Sequence, residues 1–202
     1  MKSQKLLFVL LAVVAMSFAP VTTLTDAERK QAVDLLQEGK DNLLKKVKGL
    51  SKEQLNFKPT SESWSVAECV EHIAISENNL FGFAQMGLKE PADPSKRSEL
   101  KMTDEAVVKM ISDRTNKFKT SEAFVPSGKF GTFEATLNEF VTKRDANINY
   151  IKTTSDDLRN HYNDFPFGKI DTYQTILFMA AHSKRHTAQI EEVMAHTNFP
   201  KK

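Results

Sequence analysis

The stretch GLKEPADPSKRSELKMTDEAVVKMISDRTNKFKTSEAFVPSGKFG, residues 87–131, decides how this chain folds. Gly87, Pro91 and Pro94 interrupt it at one end, and Pro126, Gly128 and Gly131 at the other. Proline lacks a backbone donor and glycine loses much backbone entropy on ordering, so neither propagates a helix. Between the breaks, an amphipathic segment from about Thr103 to about Lys119 predicts one short helix. A connection of this length is far more than the tight turn that joins antiparallel neighbours, and it can carry the chain back along a bundle.

Two long helices are predicted on each side of it. Thr25-Asp-Ala-Glu28 has the capping-box pattern, in which a hydroxyl and a glutamate satisfy each other's backbone donors. After it Val33, Leu36, Leu43, Leu44, Val47 and Leu50 keep a three-to-four spacing, so a first helix runs to near Gly49. The linker LSKEQLNFKPTSES (50–63) carries Pro59. Ser65-Val-Ala-Glu68 then opens a second helix, from about Val66 to about Met86. Beyond the crossover, Phe133, Leu137, Phe140, Val141, Ile148 and Ile151 form the apolar stripe of a third, from about Thr132 to Lys152. A turn, HYNDFPFGKI (161–170), follows, and Asp171-Thr-Tyr-Gln174 caps a last helix extending to about His196. Two helices, a long connection and two more predict an all-α four-helix bundle with up-down-down-up topology, helices two and three running in the same direction. No internal repeat interrupts this pattern.

The first residues, MKSQKLLFVLLAVVAMSFAPVTTL, run from Lys2 and Lys5 through the apolar segment Leu6–Met16 into small and polar residues, the pattern of a signal peptide over residues 1–24. The expected product is exported, periplasmic or extracellular, with a single domain over residues 25–202. The apolar run is shorter than the roughly 18 residues a membrane span needs, and no other stretch is long enough. Two of the chain's 28 basic residues lie in this leader, so the remainder balances the 26 acids. The charges are interspersed along the helices, without the basic face that nucleic acid requires. One cysteine, Cys69, makes no internal disulfide, so packing alone must stabilise the domain.

In AAHSKRHTAQIEEV (180–193), His182 and His186 stand four residues apart, one helical turn on one face. His72, in CVEHIAI, occupies the middle of the second helix on a ridge with Cys69, Ser76 and Leu80, and is the third candidate ligand. Neutral imidazole suits zinc, nickel, copper or iron(II). Three protein ligands leave positions for water or substrate, whereas structural zinc sites are closed by four. The competing reading is that such a histidine packs against the core. His161, in a turn, and His196, near a helix end, are expected to stay solvated.

LSKEQLNFKPTSESWSVAECVEHIA (50–74), followed by YQTILFMAAHSKRHTAQIEEV (173–193), resembles the DinB-like, or YfiT-like, family of bacterial four-helix proteins, a family distinct from the DNA polymerase of the same name. The resemblance covers about Thr25 to Val193. It implies a metal triad of His72, His182 and His186, and it implies the up-down-down-up bundle. Some members are similar to transferases that use bacillithiol or mycothiol as nucleophile. Those thiols are cytosolic, and the leader here departs from that branch.

Beside the triad, Gln189 projects toward the same cavity, to orient a ligand or bond a neighbouring helix. Cys69 stands one turn before His72, where a nearby metal would activate its thiol, although a free cysteine more often packs as a small hydrophobe. Arg114 lies on the crossover, where it could hold an anionic substrate. Glu68 is expected to serve the capping box, Trp64 to anchor packing, and Thr175 and Met179 to line the pocket. The expected function is a metal-dependent transferase or hydrolase acting on a small molecule, with zinc or nickel as the ion and iron or manganese as alternatives. The competing function is a non-catalytic metal-binding or ligand-binding envelope protein. The sequence leaves a homodimer open.

Overall fold

A computed structural model describes residues 23–115 and 119–201. The leader expected over residues 1–24 lies outside them except for Thr23 and Leu24. Among the described residues are six α-helices and one hairpin: α1 Asp26–Val47, α2 Lys52–Asn56, α3 Val66–Gly87, α4 Asp104–Ser112, α5 Phe133–Thr153, β1 Tyr162–Phe165, β2 Gly168–Asp171 and α6 Thr172–Met194. The capping boxes at Thr25 and Ser65 are fully formed, with Glu28 and Glu68 returning a carboxylate to the cap amide. At α6 the Asp171 carboxylate accepts from the Gln174 backbone N–H, and the Gln174 side-chain oxygen accepts from the Asp171 N–H. Gly49, at φ 70°, supplies the left-handed residue that ends the first helix.

α1, α3, α5 and α6 form a four-helix bundle. α6 packs on α1 and α3, and α5 packs on the same two, which leaves α1 diagonal to α3. Arg29 bonds the carbonyl of Ile151 and Arg144 that of Leu36, so α1 and α5 are antiparallel. Asn78 meets Glu139 and Phe81 meets Tyr150, so α3 and α5 run parallel. Tyr173 bonds the Glu28 carbonyl and Lys46 pairs with Glu191, so α1 and α6 are parallel too. α4 lies outside the four, against α6.

The core is divided. One apolar cluster contains Leu36, Leu80, Ile151, Leu158, Ile176 and Leu177, and the other Leu43, Val66, Val70, Phe140 and Ile190. A buried polar layer lies between them. Arg144 is fully buried and forks onto Glu77 at 2.8 and 2.7 Å through Nε and Nη2; Nη2 also donates to Ser183 Oγ, and Nη1 donates to the Leu36 carbonyl. Asn147 adds a third bond to Glu77, at 2.8 Å. α1 approaches this layer at Gly39, where a Cβ would lie 2.9 Å from Ser183 Oγ and 3.1 Å from Arg144 Nη1.

Three local elements differ from expectation. The linker at 50–63 contains α2, one turn with its own capping box at Ser51 and Gln54. The turn at 161–170 is an antiparallel hairpin, with Phe165 paired to Gly168 and Tyr162 to Asp171. The crossover helix stops at Ser112 rather than near Lys119, because Asp113 turns the chain and its carboxylate takes both the amide and the hydroxyl of Thr115. No helix among the described residues is long and apolar enough to cross a membrane.

Candidate metal centre

α3 and α6 bring His72, His182 and His186 together beside the polar layer. Their Nε2 atoms form a near-equilateral triangle: His72 to His186 is 3.1 Å, His182 to His186 is 3.2 Å and His72 to His182 is 3.3 Å. Nitrogens bound at about 2.0–2.1 Å on a tetrahedral ion lie about 3.3 Å apart, so the spacing fits a single divalent cation. No other described cysteine, aspartate or glutamate joins the cluster.

Proton placement supports the same conclusion. His72 Nδ1 lies 2.7 Å from the carbonyl of Phe124, which can only accept, so the proton sits on Nδ1 and the lone pair on Nε2. His186 Nδ1 lies 2.9 Å from Gln189 Oε1. That oxygen also accepts from Arg114 Nη1 at 3.4 Å, and two donors fix which end of the amide faces them. His72 and His186 therefore turn two lone pairs toward each other across 3.1 Å. A cation relieves that repulsion, and one carbonyl and one amide are the outer partners that metal-bound imidazoles need.

Burial and the neighbouring rings keep the imidazoles uncharged. Burial lowers the His72 pKa, and lowers that of His182 well below the ordinary value, with His186 and His72 adding to the effect. Burial and then His72 bring His186 down to about 3. Half-buried aromatic rings flank the triad. Trp64 lies 4.7 Å from the His72 ring and 6.1 Å from His186, Phe124 lies 6.5 Å from His72, and Phe178 lies 5.9 Å from His182. Trp64 is thus part of the site's wall as well as a packing residue.

Other candidates are placed elsewhere or engaged. Cys69 points into the apolar cluster with Val70 and Ile190, and burial pushes its thiol up to about 12, so it is a core residue rather than a thiolate beside the triad. Arg114 is not free for an anionic substrate: it forks onto Glu192 with two 2.7 Å bonds and supports Gln189. Glu68 serves the capping box and Lys58. Thr175 bonds the Asp171 carbonyl, and Met179 lies against Asn147 in the polar layer. His161 contacts the Gly87 carbonyl and His196 packs on Phe57, neither at the triad. Sequence reasoning missed the Phe124 carbonyl, which carries no side-chain signal, and Glu71, whose position next to His72 was the available hint.

The sequence pattern of the DinB superfamily matches residues 35–190. The uncharacterized protein YuaE of Bacillus subtilis (strain 168) is 27% identical over 162 residues, covering 80% of this chain and 96% of YuaE. The solved structure of YfiT from Bacillus subtilis, described as "a probable metal-dependent hydrolase with an unusual four-helix bundle topology", is similar with a TM-score of 0.60 at 17% identity, over 91% of this chain and 95% of YfiT. That likeness is one of fold. Because the family pattern begins within α1 and ends within α6, spanning the whole bundle, this chain belongs to the DinB superfamily.

Proposed function

We propose that the protein is an exported, metal-dependent hydrolase or transferase acting on a small molecule, with His72, His182 and His186 as the ligands of one divalent ion. The observation that carries the reading is the Nε2 triangle with edges of 3.1 to 3.3 Å, two of its corners fixed as lone-pair donors by Phe124 and Gln189. The description of YfiT as a metal-dependent hydrolase adds support at the level of a shared fold. Export rests on the leader sequence alone.

An ion held there supplies Lewis acidity, polarising a substrate carbonyl or lowering the pKa of water. The chain's own contribution is to hold three neutral imidazoles in place and to flank them with the partly buried rings of Trp64, Phe124 and Phe178. Among the described residues, the two buried carboxylates of α3 nearest the triad are already engaged. Glu77 is committed to Arg144 and Asn147, and Glu71 to backbone amides. The three nitrogens and no oxygen or sulfur favour zinc or nickel, with iron and manganese behind them.

Elemental analysis of the untagged protein, beside the double variant His182→Ala, His186→Ala, tests this. One equivalent of metal, lost in the variant, is expected. Absence of metal from the wild type, even after incubation with zinc and nickel, would overturn the reading.

A further inference from the structure

Glu71 precedes His72 in α3, and its side chain enters the end of the crossover. It is buried, and its carboxylate accepts three backbone amides: Ser127 at 3.1 Å, Gly128 at 3.0 Å and Lys129 at 2.8 Å. Three successive amides converge on one anion only where the chain curls into a concave turn, and Gly128, at φ 75°, provides the left-handed residue. Three residues upstream of this turn is the Phe124 carbonyl that receives His72 Nδ1–H. Pro126 lies between the two attachments and restricts the chain that links them. Two consecutive residues of α3 thus grip both ends of one short piece of crossover.

We propose that Glu71 is a positioning residue of the metal centre: by gathering the amides of Ser127, Gly128 and Lys129 it holds the Phe124 carbonyl where it fixes the His72 tautomer. This rests on the triad being a metal site. Glu71 does not touch the triad's nitrogens; it acts through the backbone of residues 124–129. The carbonyl is the group that keeps the lone pair of His72 on Nε2, so its displacement lets the proton move to the nitrogen that must bind the ion.

The test uses two readouts on the wild type, Glu71→Gln and Asn79→Ala. Asn79 donates to the Ala123 carbonyl at 3.3 Å and so touches the same segment without the carboxylate clamp. In metal-free protein with 15N-labelled histidine, long-range 1H–15N correlation spectra are expected to show His72 as the pure Nδ1–H tautomer in the wild type and in Asn79→Ala. In Glu71→Gln a mixture of tautomers is expected. In competition with a chromophoric chelator for zinc, Glu71→Gln is expected to bind more weakly, by up to the roughly 10- to 100-fold lost when the direct outer partner of a ligand is removed. Should Glu71→Gln fail to fold, Gly128→Ala strains the same turn from the other side and is expected to give the same two changes. An unchanged His72 tautomer and unchanged zinc affinity in a folded variant would overturn the proposal, leaving Glu71 a loop anchor. If the wild type bound no zinc, the metal reading would fail by itself, while the tautomer spectra would still decide whether Glu71 governs His72.

Discussion

The charge state of the three imidazoles makes a prediction at the scale of single residues. An unfolded histidine titrates near 6.5, whereas here all three lie lower, His186 at about 3. Between those values the unfolded chain binds more protons than the folded one, so folding stability rises with pH through the window. The metal-free protein should be at full stability above about pH 6.5 and lose it as the pH falls toward 5. Denaturant midpoints in chelator at pH 7.5 and 5 measure this, and equal midpoints would contradict a buried, neutral triad. Gln189 allows a second prediction: Gln189→Ala removes the acceptor from His186 Nδ1 and should weaken zinc binding roughly 10- to 100-fold with little change in the metal-free fold. Its role at this level was partly legible, since positions 182, 186 and 189 share a helix face. The carbonyl of Phe124 was not, because any residue type can present a backbone oxygen.

Among the elements, α3, α5 and α6 are joined through the buried layer of Arg144, Glu77, Asn147 and Ser183. Its desolvation cost is high, and a pair of this kind adds less to stability than to choosing a partner for each charge. We interpret it as the device that fixes the vertical register of α3 against α5, since sliding one past the other by a turn would strand both charges in the core, while α1 and α6 are tied to it through the Leu36 carbonyl and the Ser183 hydroxyl. Arg144→Leu leaves Glu77 buried and unpaired and should cost about 3–5 kcal/mol, read as a shift in urea midpoint. Gly39→Ala should cost about 1–3 kcal/mol through overpacking against Ser183 and Arg144. A neutral outcome for both would refute the register interpretation. The long helices were legible because each begins with a side-chain cap and carries an apolar stripe. β1 and β2 were not: four residues a side with Pro166 at the turn give too short an alternation to separate from a loop. α2 was not legible either: Ser51-Lys-Glu-Gln54 has the same capping pattern as its larger neighbours, but a single turn is too short to carry an apolar stripe.

For the molecule as a whole, a ligand that binds only the folded state stabilises it by mass action, by about 2.7 kcal/mol at a hundredfold excess over Kd. In a domain of this size each kcal/mol raises Tm by about 2–4 °C. Zinc at that level should thus raise Tm by roughly 5–10 °C in the wild type and leave the His182→Ala, His186→Ala variant unmoved. Scanning calorimetry with and without metal checks both. The two helices that carry the triad are brought together by a closure 110 residues long between His72 and His182. The chain must therefore meet the entropy of that closure before any three-nitrogen pocket exists to attract an ion. Metal should accordingly arrive after the rate-limiting step, leaving the refolding rate nearly constant across zinc concentrations while slowing unfolding. In the life of the protein the ion would then act as a clasp fastened last, retaining chains that have already found their shape rather than guiding those that have not.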